Sequence, residues 1–387
     1  MLNRRDLRIK AMQAVYAHHF SIDALKQEMG KDLSCKYDPK APEDQDLLTE
    51  WRSTISSKRE KIKANYIKSL DNPEVELGVE GLIYEFEEYK ALFEEKEKKL
   101  LKYSKGKLMM DVSSIYTSYL KLLALLNEIS FVEKREKHKV SRTRPILDYN
   151  FHFVENKLLN DLSSFSELTD LLENKSISWS NDIVTIKYWY KELITKNDQI
   201  ISYQNQNFLN PEEQYKVVRY LTKNILFKAQ KIDDFMSLHD LHWFDNKPIL
   251  RKMVLKTLKD YMESGKFELK SLSVNKEEDF EYLEKLFVFT ISNGDSLKPL
   301  IAEKANNWDI SRIALIDMII IKMAITEMIQ FPSIPIKVTI NEFIEISKRY
   351  STPKSKQFIN GILDVLANQL SSNGTIRKSG RGLIDNS

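Results

Sequence analysis

Glycine and proline are scarce in this chain, and their scarcity constrains the fold more than any other feature of the sequence. Each occurs only 10 times in 387 residues, roughly half of ordinary usage or less. Sandwiches, barrels and doubly wound sheets need many tight turns, which these two residues supply. Hydrophobic residues make up 42% of the chain, enough to fill a core, so disorder is not expected. The composition therefore predicts an all-α protein.

The first twenty residues predict a single helix with a basic start. Leu7, Ala11 and Ala14 share one face at helical spacing. Four cations lie in its first turns: Arg4, Arg5, Arg8 and Lys10. The three arginines fall within about a third of the helix circumference. They form the first candidate for a nucleic-acid contact, since net charge is only +3 and any such surface must come from local clustering.

The last hundred residues have the clearest helical pattern. A helix over 310–329 is apolar nearly all round, which is typical of a buried central helix, and Asp309 is placed to cap it. Thr339 and Glu342 have the spacing of a capping box and predict the start of the next helix. A final helix is expected after Thr352 and Pro353.

A second cationic cluster lies where these last two helices meet. The window between Glu345 and Asp364 contains no acidic residue. Its cations and aromatic residues are Lys348, Arg349, Tyr350, Lys354, Lys356 and Phe358. Cations contact phosphates and aromatic faces stack on unpaired bases, which favours a single-stranded RNA surface. Each cluster alone also fits cations placed at helix ends for solubility.

Nothing in the sequence indicates catalysis. Cys35 is the single cysteine, which excludes a disulfide framework. We find no phosphate loop, dinucleotide fingerprint or nucleophile elbow. His239 and His242 are spaced for one helix turn but have no third ligand nearby, so no metal and no cofactor are expected. The N-terminus lacks the apolar region of a signal peptide, and no stretch is long enough to span a bilayer. We expect a cytoplasmic protein without enzymatic activity.

Taken together, these segments resemble the NusB family of transcription antitermination factors. The opening RRDLRIKAMQAVYAH resembles the Arg-rich first helix of that family. Further segments follow the family's order near the other end: 307–313, 316–317, 322–325, 327–328, 335, 337–342 and 347–348. Residues 356–364, KQFINGILD, resemble its closing signature. About 250 residues between these segments have no counterpart in a minimal family member.

The resemblance implies an all-α, NusB-like helical bundle with additional inserted helices. Residues 1–30 would be its N-terminal Arg-rich helix and residues 276–372 its C-terminal bundle. Residues 31–275 would be a helical insertion of unknown role, and residues 373–387 a disordered basic tail.

Family members bind the boxA element of ribosomal RNA transcripts together with a small-subunit ribosomal protein called NusE in that role. They join an antitermination complex on RNA polymerase with NusA and NusG. The resemblance therefore implies a non-enzymatic RNA-binding antitermination factor. Two alternatives stay open: an accessory NusB-like domain in RNA modification, and a protein-interaction scaffold without RNA binding.

Specific residues follow from the resemblance and the two cationic clusters. RNA contacts are expected at Arg4, Arg5, Arg8, Lys10, Lys354, Lys356, Gln357 and Phe358. NusE contacts are implied along the helix that holds Asp317, Lys322 and Glu327. A structural role is implied for Asn341, Glu342, Asn360 and Gly361. Lys354 departs from the family, since an acid is common at its position.

Overall fold

The structure is a computed structural model that describes residues 2–72, 75, 82–143, 151–206, 210–304 and 313–383. All regular elements in these ranges are helical, and none is a strand, so the predicted all-α class is confirmed. In chain order the α-helices are α1 (Arg4–Cys35), α2 (Leu48–Asp71), α3 (Ile83–Thr143), α4 (His152–Glu155), α5 (Lys157–Ser163), α6 (Ser166–Asn174), α7 (Ile183–Trp189), α8 (Asp198–Gln204), α9 (Pro211–Tyr220), α10 (Gln230–His239), α11 (Trp243–Ser264), α12 (Lys276–Ser292), α13 (Gly294–Lys304), α14 (Leu315–Gln330), α15 (Ile336–Tyr350) and α16 (Ser355–Ser372). Among the described residues, no helix is long and apolar enough to cross a membrane.

The chain divides into two compact units. The terminal unit contains Arg4–Met109 and Glu277–Ser387, and the middle unit contains Met1–Asn3 and Met110–Lys276. The C-terminal boundary falls one residue from the predicted end of the insertion at 275. The N-terminal boundary differs from the predicted division after residue 30, because residues 31–109 belong to the terminal unit.

An apolar cluster explains why residues 31–109 join the terminal unit. Helix α1 continues to Cys35, well past the predicted twenty residues, and packs along α2. Met29 and Leu33 of α1 share a buried cluster with Tyr66 of α2 and Phe86 and Phe93 of α3. Burial of each such side chain contributes roughly 1.5–3 kcal/mol. These contacts hold α2 and the start of α3 to α1.

Helix α14 lies at the centre of the terminal unit, as its sequence predicts. It packs against α1, α15 and α16, and most of its side chains are buried, from Ile319 to Met328. The helix begins at Leu315 rather than at 310. The predicted cap Asp309 lies outside the described residues.

The predicted capping box at Thr339 and Glu342 is wrong. Helix α15 starts three residues earlier, at Ile336 after Pro335, so Thr339 lies inside it and is fully buried. A proline before the first turn sets a backbone compatible with helix entry. Both side chains bond to other helices, as described below.

The tail predicted to be disordered is folded as far as Leu383. Ile376 is buried, and the backbone N–H of Ser379 donates to the carbonyl of Pro332 at 3.1 Å. Lys378 Nζ donates to the carbonyl of Phe331 at 3.1 Å. The tail therefore closes over the turn after α14. Its backbone hydrogen bond to Pro332 and the burial of Ile376 outweigh the polar composition that predicts disorder.

The middle unit is built around the second part of α3. Buried apolar side chains recur along it at helical spacing, among them Val112, Tyr119 and Leu126. Helix α9 begins at a capping box formed by Asn210 and Glu213, with Pro211 in the first turn. Two π-helical turns, Tyr190–Ile194 and Leu221–Leu226, extend α7 and α9. Such turns widen a helix locally and often occur at functional sites.

Candidate nucleic-acid interface

Arg8 of α1 points into the terminal unit and pairs with Glu327 of α14. Its Nε and NH2 donate to Oε2 and Oε1 of Glu327 at 2.7 and 2.8 Å. Only 3% of the Arg8 side chain is exposed, and Glu327 is fully buried. Burial alone would lower the pKa of Arg8, but the hydrogen bonds and charge of Glu327 outweigh it and raise that pKa. The arginine predicted to contact RNA therefore joins two core helices.

Two further hydroxyl groups surround the Glu327 carboxylate. The Tyr282 hydroxyl of α12 donates to Oε2, and Thr339 Oγ1 of α15 donates to Oε1 at 2.7 Å. Burial raises the pKa of Tyr282 well above its ordinary value. Since buried charges are tolerated only when they are paired and hydrogen-bonded, this network accounts for an acid in an apolar helix. It joins α1, α12, α14 and α15 at one point.

Arg5 lies one turn earlier on α1 and pairs with Glu342 of α15. Its Nε and NH2 donate to the two carboxylate oxygens, both at 2.8 Å. The Arg5 hydrogen bond lowers the pKa of Glu342. The Arg5 side chain is 45% exposed, so one edge of the guanidinium faces solvent. This places Glu342 in the structural role implied by the resemblance.

Arg4 is also bonded to acidic residues of its own unit. It donates to Glu278 of α12, and its Nε lies 3.4 Å from Asp279. Its guanidinium carbon lies 4.4 Å from the centre of the Tyr282 ring. Each arginine of the opening run is thus matched by a carboxylate within the chain, and Lys10 is buried. The run is not the cluster of free surface cations that the sequence predicts.

The second predicted cluster has a different character. Lys354, Lys356 and Gln357 are exposed at the turn before α16 and in its first turn. Their side chains make no hydrogen bond or close ion pair with any described residue. We call these three residues the turn surface. Phe358, predicted to stack on a base, is 9% exposed and lies on the buried side of α16.

Glu345 of α15 connects the turn surface to the opening helix. Lys348 donates a hydrogen bond to Glu345 and lowers its pKa, and the charges of Arg5 and Lys356 lower it further. Arg5 and Lys356 are 351 positions apart along the numbering, yet both act on one carboxylate. Arg5 and Lys356, one from each predicted cluster, therefore both influence the charge state of Glu345, whereas Arg8 and Lys10 of the opening run are buried.

The three residues implied for NusE contact lie in different settings. Asp317 is buried and accepts a hydrogen bond from Ser351, whose Oγ lies 2.9 Å from Ser355 Oγ. Asp317 therefore fixes the turn that presents Lys354. Glu327 is buried in the Arg8 network. The burial of Asp317 and Glu327 does not fit direct partner contact.

Lys322 is the member of this set that reaches an open cleft. The cleft has a volume of about 300 Å³ and also contains Lys26, Asp71 and Lys298. Burial lowers the pKa of Lys322, and the charge of Lys298 lowers it further. Lys26 Nζ pairs with Asp71 at 2.6 Å. Lys322 is therefore the residue of this set that lines a cleft of the terminal unit.

The Asn-Gly step of α16, for which the resemblance implies a structural role, is not closely packed. A Cβ added at Gly361 would meet no atom within 4 Å among the described residues. Gly361 is exposed, and Asn360 Nδ2 donates to Asp364 Oδ2 at 2.8 Å one turn along. The glycine therefore does not admit a neighbouring helix of this chain.

Sequence reasoning missed the partners that organise the site. No spacing in the sequence marks Tyr282, and the spacing of Thr339 from Glu342 indicates a capping box rather than the buried bond to Glu327. One signal was present: Glu327 is a carboxylate in a helix that is apolar all round, and a buried acid requires a cation. Arg8 at helical spacing from the apolar face of α1 is such a cation.

Comparisons with known proteins match part of the chain to one family. Residues 248–368 match the model of the NusB family. A transcription antitermination protein NusB of Chloroherpeton thalassium is 46% identical over 105 residues, which cover 27% of this chain and 50% of the relative. The protein of that name from Salinibacter ruber is 43% identical over 104 residues, covering 27% and 65%. That from Natranaerobius thermophilus is 40% identical over 92 residues, covering 24% and 66%.

These matches have a limited extent. The chain spans about half to two thirds of the length of these relatives. The family match begins inside α11 and ends inside α16, so it does not include α1. The likeness of the Arg-rich opening stays a prediction. No solved structure is significantly similar to the chain.

Proposed function

We propose, from the match of residues 248–368 to the NusB family, that the protein is an RNA-binding transcription antitermination factor. It acts by binding rather than by catalysis. Its RNA is a boxA-type single strand of a ribosomal RNA transcript, bound together with the small-subunit ribosomal protein that acts as NusE. The assembly then joins RNA polymerase with NusA and NusG. The name of these relatives, transcription antitermination protein, supports this assignment.

The observation that carries the proposal is the turn surface beside Arg5. Lys354 and Lys356 are exposed cations that make no hydrogen bond or close ion pair with the described residues, so RNA phosphates can bind them without first breaking such a pair. Gln357 adds an amide that can donate to and accept from a base edge. Arg5 keeps an exposed edge close by. Arg8, Lys10 and Phe358 are buried and Arg4 is ion-paired within its unit, so we expect these four residues to affect RNA binding indirectly.

For the protein partner we propose the cleft that contains Lys322. Both positively and negatively charged side chains line it, including the Lys26–Asp71 ion pair. Half-buried charges with mixed signs favour a partner that presents complementary polar groups. Asp317 and Glu327 act indirectly, by holding α14 and the turn surface in place.

The test is a fluorescence-anisotropy titration of the full chain with an RNA oligonucleotide that carries a boxA element, with and without NusE. Replacing Lys354 and Lys356 by Ala removes two phosphate contacts. Each lost contact lowers log K by about 0.7 per decade of salt. Over one decade, down to 0.1 M salt, the loss of two contacts should therefore lower the affinity about twenty-fold.

The matched control replaces Lys98 and Lys102 by Ala. Both are exposed on a different helix of the same unit, α3, and their loss changes net charge by the same amount. We expect the control to bind RNA within about two-fold of the wild type. Absence of RNA binding by the wild type, with and without NusE, would contradict the proposal.

A further inference from the structure

The middle unit contains a cationic cleft between α8 and α9 that lies outside the family match. Its volume is about 370 Å³, within the range of small-ligand pockets. Three cations lie on one wall, at Lys216, Arg219 and Lys223, against a single carboxylate, Glu213. The cleft is therefore built to attract an anion.

Two of the three cations are not neutralised by the chain. Arg219 and Lys223 make no hydrogen bond or ion pair with any described residue. Lys216 pairs with Glu212 at 2.7 Å, but both side chains are largely exposed, and such a pair is weak. Glu213 is held by the capping box with Asn210. The free charge of the cleft is thus positive.

Helix geometry places the cations on one face. Lys216, Arg219 and Lys223 follow spacings of three and four residues across the junction of α9 with the π-helical turn Leu221–Leu226. The wider turn carries Lys223 and Asn224 at the edge of the cleft. A stacking surface is available from Tyr220, which is half-buried in the same lining.

The opposite wall is polar and uncharged. Gln199 and Ser202 of α8 are exposed there, and their amide and hydroxyl groups can both donate and accept hydrogen bonds. Buried Tyr203 and Val217 form the floor. Cations for a phosphate, a tyrosine ring for a base and neutral hydrogen-bonding groups for base or sugar edges are the elements of single-strand recognition.

We propose that this cleft is a second ribonucleotide-binding site, occupied by a nucleotide of a single-stranded RNA. The inference extends the proposed function to RNA outside the boxA contact, but its chemistry does not depend on the turn surface. A free nucleotide offers the same phosphate, sugar and base. An acidic peptide would use the cations but not the neutral wall or the tyrosine.

The experiment uses the full chain and a 5′-fluorescein 12-nucleotide oligouridylate in anisotropy titrations. Replacing Arg219 and Lys223 by Ala should weaken binding about twenty-fold at 0.1 M salt, from two lost phosphate contacts. The control replaces Lys252 and Lys256 by Ala, which are exposed on α11 with the same spacing and outside the cleft. We expect it to bind like the wild type. Equal affinity of the cleft variant and the control would overturn the proposal.

Two additional arms identify the occupant. Adenosine monophosphate should displace the oligouridylate from the wild type and equally well from the variant in which Lys354 and Lys356 are replaced by Ala. Equal displacement supports a nucleotide-sized site in the cleft. A labelled poly-glutamate peptide that binds through Arg219 and Lys223 while the oligouridylate does not would overturn it in favour of a protein partner. Loss of boxA binding in the Lys354 and Lys356 variant with unchanged cleft binding separates the two proposals.

Discussion

Arg8 and Glu327 form a buried, bidentate ion pair that joins α1, the first helix of the terminal unit, to its central helix α14. The two hydrogen bonds measure 2.7 and 2.8 Å, and Tyr282 and Thr339 complete the coordination of the carboxylate. The residues are 319 positions apart in the chain. This relationship assigns Arg8 to the integrity of the site rather than to its outer surface.

Arg8→Ala should destabilise the terminal unit strongly. It leaves the Glu327 carboxylate buried without its cation, a change that costs about 3–5 kcal/mol in other proteins. Arg5→Ala is the matched control, since the Arg5–Glu342 pair is partly exposed and its loss should cost about 1 kcal/mol or less. Urea denaturation followed by circular dichroism measures both. Similar losses for the two variants would refute the structural assignment of Arg8.

Gly382→Ala should release the C-terminal tail. A Cβ at this position would lie 2.0 Å from the carbonyl oxygen of Pro332, which requires the backbone to move. Gly361→Ala is the control, because its Cβ meets nothing within 4 Å and alanine favours a helix by up to about 1 kcal/mol. Limited proteolysis should cleave the tail of Gly382→Ala faster than that of the wild type or Gly361→Ala. Equal cleavage would show that the tail is not held at this turn.

The middle unit should lose stability as pH rises toward 8. Glu133 is fully buried, and burial raises its pKa to about 7, although Val154, Tyr190 and Gln204 donate hydrogen bonds to it. Glutamate in an unfolded chain has a pKa of about 4.3. Between these values the folded state binds more protons than the unfolded state, so the free energy of unfolding falls as pH increases.

Glu133→Gln removes this titration and provides the measurement. From pH 4 to pH 8, the stability of the variant relative to the wild type should increase by up to about 3 kcal/mol. Urea midpoints at the two pH values give the difference, and other titrating groups cancel in the comparison. A constant offset between variant and wild type would contradict the account of Glu133.

Much of the fold could be predicted from periodicity, and the exceptions have identifiable causes. The apolar α14, the Asn210 start of α9 and the final helix all follow from local pattern. The prediction of a capping box at Thr339 is wrong because the two side chains make long-range bonds instead. Thr339 bonds to Glu327, and Glu342 bonds to Arg5. The prediction of a disordered tail is wrong because it rests on polar composition alone. A backbone hydrogen bond to Pro332 and the burial of Ile376 hold the tail in place.

The candidate site divides along the same line. The exposed cations Lys354 and Lys356 could be identified from the sequence, because an acid-free window is a local property. The burial of Arg8 could not, since it depends on Glu327 and Tyr282 from distant helices. The cleft of the middle unit could not be identified in this way, although Lys216, Arg219 and Lys223 also lie in an acid-free window, between Glu213 and Asp233. Its other wall comes from α8, and only the folded unit brings the two walls together.

The most direct test of the account is the salt dependence of boxA RNA binding. With three to five phosphate contacts, log K against log salt should have a slope of about −2 to −3.5 for the wild type. Replacing Lys354 and Lys356 by Ala should make the slope shallower by about 1.4, from two lost contacts, while the Lys98 and Lys102 control keeps the wild-type slope. Parallel lines for the wild type and the turn-surface variant would show that RNA does not bind there.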